Sequence, residues 1–312
     1  MNIELTPRHT PGASVRQTAD GWRLDIPAGP RRGYRLAQLD DYMSLPRRAF
    51  PWNPTLTLRE PQGTALREPQ GTALSLRARL SAANLPGTWG FGLWNDPFGF
   101  AIGFGGRARR LPALPNAAWF FHASKENYLS LRPCHCEPPL FGGEAISSRG
   151  RGLLRRCAPR NDPSTGSPVP AALVQAGQAH PPNGFFAGTF RSPRWPTPLL
   201  APALLALPLL ALRPVSRLLR RMAGGVIQQD GRAVDVDVTQ WHAYTIRWQT
   251  DAVAFLVDGA EILRTPLIPR GPLGLVLWID NQYAAWRPDG SLGYGTLENP
   301  AAWLEIENVV AF

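Results

Sequence analysis

The chain has 312 residues, enough for one large β domain or two ordinary ones with a sizeable core. Its 11 Trp, 13 Phe, 30 Gly and 33 Pro suit many short strands joined by tight turns and argue against long helices, which tolerate neither Gly nor Pro well. The net charge of +10 is local: six Arg face two Glu between Arg132 and Arg160, and Arg213, Arg217, Arg220 and Arg221 cluster again, with no interleaved aromatics, which speaks against a nucleic-acid partner.

The N-terminal stretch "MNIELTPRHTPGASV" lacks the apolar segment a secretory signal requires, so the default expectation is a cytoplasmic protein. An odd number of cysteines, three, argues against a disulfide framework. The expected organisation is a single domain over residues 13–312 with three interruptions. The first is a tandem-repeat loop at residues 58–73, in which the eight residues "LREPQGTA" occur twice in succession. With both copies removed, "TLTL" runs into "SLRARLSA", one alternating strand with Leu74 and Leu76 on one face and Ser75, Arg77 and Arg79 on the other.

Next along the chain, "TWGFGLWND" places Trp89, Phe91 and Leu93 on one face and Gly90, Gly92, Trp94 and Asp96 on the other. "NAAWFFHAS", residues 116–124, is a strand without an acidic residue, and His122 shares the face of Ala118 and Phe120. The second interruption, residues 132–183, has no helical or strand period and reads as a disordered loop. Its first 29 residues or so resemble the translation of dispersed palindromic repeats found in bacterial genomes. Cys134, His135, Cys136 and Cys157 are zinc-competent ligand types, but Cys-x-Cys is not the usual chelating spacing and no second pair follows. Neither a metal nor another cofactor is expected.

The third interruption, residues 195–223, is apolar and then basic. Its fourteen-residue run "LLAPALLALPLLAL" is too short to span a bilayer and contains Pro202 and Pro208. Two readings stand: a short helical or irregular lid packed on the domain, or a peripheral membrane-surface contact running from Leu199 to Arg221.

The segment "WHAYTIRWQTDAVAFLVDGAEIL" is a meander. His242, Tyr244, Ile246 and Trp248 share a face, Val253, Phe255 and Val257 follow on the second strand, and Asp258-Gly259 turns into a third. "LGLVLWIDNQY" sets Leu275, Leu277 and Ile279 against Val276, Trp278 and Asp280. The remaining acidic alternations, Asp235 with Asp237 and Glu305 with Glu307, have two members each.

The pattern "WHxYxIxW…FxVDGxxI" resembles the corresponding strands of glycoside hydrolase family 16 and the wider concanavalin A-like lectin and glucanase superfamily. "GTWGFGLWNDPFG" and the closing "LEIENVVAF" extend the resemblance over residues 22–123 and 184–312. It implies an all-β fold, a two-sheet jelly-roll β-sandwich with one sheet curved into a groove. The family's retaining chemistry uses a Glu-x-Asp-x-(x)-Glu strand. In this chain "NAAWFFHAS" stands at that place, so no catalytic residue is carried over.

The expected function is therefore a catalytically degenerate jelly roll whose small ligand, if it has one, is a carbohydrate or another hydroxyl-rich molecule. Trp94 and Trp278 would be stacking platforms, with Asp96, Asp280 and Asn281 as polar anchors. A glycosidase with relocated carboxylates would draw on Asp96, Asp280 and His122. A structural or membrane-surface protein is the third reading. Each site residue also has a plainer role open to it: buried packing for the tryptophans, strand-end capping for the aspartates, a core position for His122. The sequence leaves the oligomeric state undetermined.

Overall fold

The computed structural model describes residues 3–54, 71–97, 113–131, 181–195 and 207–311. Most of the tandem repeat, all three cysteines with the rest of residues 132–180, and the apolar run as far as residue 206 lie outside the described residues.

Two seven-stranded antiparallel sheets pack face to face. The front sheet runs, edge to edge, β1 (Thr6–His9), β4 (Leu36–Asp40), β13 (Gly274–Asp280), β6 (Thr88–Trp94), β7 (Ala117–Ala123), β8 (Gly184–Arg191) and β9 (Gln228–Ala233). The back sheet runs β12 (Ala260–Thr265), β11 (Val253–Val257), β10 (His242–Gln249), β5 (Gly71–Leu80), β16 (Ala302–Ala311), β3 (Gly21–Ile26) and β2 (Ser14–Gln17). A small ribbon of β14 (Gln282–Trp286) and β15 (Leu292–Thr296) lies beside them. Among the described residues one α-helix, α1 (Arg213–Val226), follows a short 3₁₀ turn at Leu207–Ala211. This is the all-β jelly-roll sandwich expected, with a helical insertion.

Alternation explains the layers. Trp89, Phe91 and Leu93 of β6, Ala118 and Phe120 of β7 and Leu275, Leu277 and Ile279 of β13 point between the sheets. They meet Leu74, Leu76, Ala78 and Leu80 of β5, Tyr244, Ile246 and Trp248 of β10 and Val253, Phe255 and Val257 of β11. The meander forms in the expected register, with Tyr244 opposite Val257 and Trp248 opposite Val253. Asp258 (φ 50°) and Gly259 (φ 81°) both adopt the left-handed conformation that a two-residue hairpin turn of matching twist demands.

The outer face of the back sheet is a charged ladder. Arg23 and Arg79 each meet Glu305 at 2.8 Å, and their guanidinium groups lie over Trp303 and Trp241 at 4.5 and 4.9 Å. These half-buried pairs lie at the solvent boundary, where such ion pairs contribute about 0–1 kcal/mol each.

Two boundaries differ from the sequence reading. β1 pairs with β4 upstream of residue 13, on four residues too short and too exposed to show a period. Gly71, Thr72 and Ala73, the end of the second repeat copy, belong to β5 and pair with Gln249, Trp248 and Arg247. Removing residues 58–65 leaves those pairs intact, so that deletion variant is expected to melt within a degree or two of the full chain in calorimetry. A large drop would show that the first copy contributes to the fold.

Candidate functional site

The outer face of the front sheet is where a groove would lie, and its residues follow from the register. One row across it reads Gln38, Trp278, Gly90, Phe121, Phe186; the next reads Asp40, Val276, Gly92, Trp119, Gly188. Trp94 stands in a further row, opposite Gly274 and Ala117. Gly90 and Gly92 are required here: a Cβ on Gly90 would come within 2.9 Å of the Trp278 ring, and one on Gly92 within 2.5 Å of Trp119.

These side chains form a second hydrophobic cluster. Trp119, Phe121, Phe186, Phe190, Val276 and Trp278 are buried, and Tyr42, Phe50 and Ile227 are buried with them. Trp278 packs on Phe121 at 5.1 Å and on Trp119 at 6.1 Å between ring centroids, and its Nε1 donates to Thr88 Oγ1 at 3.0 Å. Trp94 is the half-buried member, edge-on to Tyr42 at 6.1 Å and tilted against Trp119 at 6.0 Å. The sequence reading missed Trp119, Phe121 and Phe186 as the floor of this face. The alternation of "AAWFFHA" was the available signal.

Trp94 and Trp278 thus share one face on neighbouring strands, as their pattern implied, but the strands are antiparallel. Asp280 sits opposite Thr88, and Trp94 sits opposite Gly274. Thr88 and Trp94 are six residues apart on one strand, about 20 Å at ~3.3 Å per residue, and Asp96 lies beyond. Glycosidase pairs stand roughly 5–10 Å apart. The structure does not bring Asp96 and Asp280 together.

Each polar candidate is held by the protein itself. Asp280 Oδ1 accepts from Thr88 Oγ1 at 2.8 Å and from the backbone N–H of Thr88 and Gln282 at 3.2 Å. Burial drives its pKa up to about 7, against the opposing pull of those bonds. Tyr34 lies against the same carboxyl, and burial together with that neighbouring charge pushes its phenol well above its usual value. Asn281, fully buried, accepts from Arg35 N at 2.9 Å and donates to the Gly33 and Leu297 carbonyls at 3.0 and 2.8 Å. Asp96 is 7% exposed, in the left-handed region at φ 45°. Its carbonyl and that of Asn95 accept from Arg47, a half-buried cation that no sequence pattern marked.

His122 points the other way, between the sheets. It stacks on Trp89 at 5.2 Å with the rings 9° from parallel, and burial lowers its pKa to about 4, opposed by a hydrogen bond to the Leu85 backbone. It belongs to the core face, not to the face of Trp94 and Trp278. Among the described residues, no group of three or more His, Cys, Asp or Glu side chains is arranged to hold a metal. Two depressions among the described residues, one of about 610 Å³ at residues 28–30 and 298–300 and one of about 420 Å³ beside Ile3, Trp22 and Val309, touch none of the candidates.

No protein-family model matches the chain, and no curated protein matches it. Among solved structures it is similar in outline to the β-glucanase of Bacillus licheniformis, at 11% identity and TM-score 0.37, covering 100% of this chain and 92% of that one. A GH16 protein of the Bacteroides ovatus mixed-linkage glucan PUL gives 8% identity and TM-score 0.38, covering 98% and 94%. The carbohydrate-binding module CBM66 of Bacillus subtilis gives 7% identity and TM-score 0.32, also covering 98% and 94%. At these identities and scores the similarity is one of outline.

Two outcomes follow from the geometry. Trp278→Ala removes a buried ring and is expected to cost about 3–5 kcal/mol in urea unfolding, with Trp94→Ala costing clearly less because its ring is half-exposed. For Asp280, a carboxyl whose pKa is raised on folding takes up a proton, so its contribution is full below about pH 4 and declines toward pH 7. Asp280→Asn is therefore expected to gain on the wild type steadily between pH 4 and 7. A stability difference constant over that interval would contradict the assignment.

Proposed function

We propose that this chain is a jelly roll that binds a carbohydrate without hydrolysing it, using the accessible edge of the aromatic face around Trp94. The observation that carries the reading is the character of the outer face of the front sheet. It is lined by tryptophan and phenylalanine where a hydrolase would need paired carboxylates. Among the described residues its strands place two acids there, Asp40 and Asp280, four residues apart in register, since Asp40 pairs with Val276. That is about 13 Å along the strand, beyond either hydrolytic geometry. Asp40 is moreover held by Arg8 at 2.7 Å and Gln38 at 2.9 Å.

An indole ring can stack on the apolar face of a pyranose, and an adjacent guanidinium can donate to its hydroxyls. Trp94 supplies the half-buried ring at the end of β6, and Arg47 is bonded to the carbonyls of the two residues that follow Trp94. The superfamily resemblance of the meander, which folds as β10, β11 and β12, supports the same ligand class. Asp280 and Asn281 act in this reading as supports of the sheet end rather than as anchors, and Trp278 as the packed floor.

Affinity electrophoresis of the full chain through gels containing mixed-linkage β-glucan, laminarin or xylan tests it. Retardation by at least one polysaccharide is expected, abolished in Trp94→Ala, with no reducing ends released on prolonged incubation. Unretarded migration in all three gels overturns the binding claim, and protein-dependent release of reducing ends overturns the claim that hydrolysis is absent.

A further inference from the structure

The helix α1 turns only part of its apolar side inward: Val215, Leu219, Ala223 and Val226 are half-buried, whereas Leu218 and Met222 are exposed. In a water-soluble domain an amphipathic helix buries its apolar stripe. Here the buried residues are Ser216 and Arg220. Ser216 Oγ accepts from Trp286 Nε1 at 2.9 Å. Arg220 donates from Nε to the Trp286 carbonyl at 3.0 Å and from Nη2 to the Ser130 carbonyl at 2.8 Å, with its guanidinium 5.6 Å from the Tyr128 ring. These bonds fix which side faces the domain.

The outward side carries two adjacent rows at four-residue spacing. Leu218 and Met222 form one, 58% and 60% exposed, and Arg213, Arg217 and Arg221 form the other, all exposed. Leu209 and Leu212, just before the helix, are 49% and 56% exposed and extend the apolar row. These four are half of the large hydrophobic side chains exposed among the described residues. The charge is one-sided as well: the sequence from Arg191 to Gln229 contains no acidic residue. The nearest described counter-charge is Asp289, whose pKa is lowered chiefly by its bonds with Ser291 and further by Arg213 and Arg217. Arg217 also donates to the Asp289 carbonyl. Among the described residues no helix is long and apolar enough to cross a membrane.

We infer that α1 and the turn before it form an interfacial docking surface for an anionic lipid bilayer, lying in the plane of the headgroups. The apolar row enters the acyl boundary, and the arginine row meets lipid phosphates and carboxylates. A protein partner of ordinary composition would match the leucines but add little for the arginine row beyond what Asp289 already supplies to Arg213 and Arg217. An anionic bilayer satisfies both rows along the helix's length. The inference stands apart from carbohydrate binding, which is assigned to Trp94 and to none of the exposed α1 side chains, so either can fail without the other.

The test is co-sedimentation of the full chain with vesicles of phosphatidylcholine alone or with roughly one-third phosphatidylglycerol, at about 50 mM salt and again at several-fold higher salt. Binding to the anionic vesicles alone is expected, weakening with salt. Changing Arg213, Arg217 and Arg221 together to Gln is expected to reduce partitioning on the order of 100-fold, since each basic residue near such a surface contributes about fivefold. Leu218→Ser with Met222→Ser, both on exposed positions, reduces it independently while circular dichroism stays unchanged. Failure of the wild type to bind anionic vesicles at low salt overturns the inference, as does undiminished binding by the arginine variant. A concentration-dependent dimer in sedimentation velocity, lost in the Leu218 and Met222 variant and accompanied by no vesicle binding, assigns the surface to a second copy instead.

Discussion

The sandwich depends on one aromatic junction between its sheets. Phe120, at the centre of the front sheet, lies 5.0 Å from Tyr244 and 5.5 Å from both Phe91 and Phe255, while Tyr244 also meets Phe91 at 5.0 Å. Strands β6 and β7 are thereby joined to β10 and β11 by tilted and edge-on ring contacts, each adding about 0.5–1.5 kcal/mol beyond its buried area. Once these rings define the inside, the pleat assigns every alternate residue to the outside. Trp119 and Phe121 therefore occupy the outer face because Phe120 occupies the inner one.

That assignment decides what β7 presents on the outer face. General acid and nucleophile need a wet, accessible strand with acids at alternate positions. β7 offers Ala117, Trp119, Phe121 and Ala123 there, all buried. An isolated acid placed among them would be desolvated and protonated rather than reactive, as the raised pKa of Asp280 at the end of β13 illustrates. The same burial keeps the His122 ring, flat against Trp89, uncharged down to about pH 4.

Much of this fold is legible in the chain. Periodicity of two marks β5, β6, β10, β11 and β13, and the Asp258-Gly259 pair marks the hairpin. Even the face shared by Trp94 and Trp278 can be read correctly. Strand direction cannot, because an alternating pattern is the same read from either end, and it is direction that puts Asp96 and Asp280 at opposite ends of their strands. Long-range partners are equally silent: nothing near Asp280 announces Thr88, 192 residues away. Nothing near Asn281 announces Arg35, 246 residues away. The helix was obscured for another reason: its stripe of Leu218 and Met222 reads like a core face, and only the bonds of Ser216 and Arg220 reveal that it is turned outward.

The duplicated octapeptide gives the central strand β5 a competitor within its own chain. Both copies end in Gly-Thr-Ala and are followed by Leu, so the first rungs against Trp248 and Ile246 are chemically the same whichever copy docks. Eight is even, so the mistaken alignment keeps inside and outside correct and passes the simplest check a sheet imposes. It fails further along, where Glu68 would enter the buried place of Leu76, and Pro69, lacking an N–H, would stand between β10 and β16. Discrimination therefore comes late in strand zippering. The chain carries a folding error that costs nothing to begin and must be undone to correct, a kinetic burden absent from a chain with one copy.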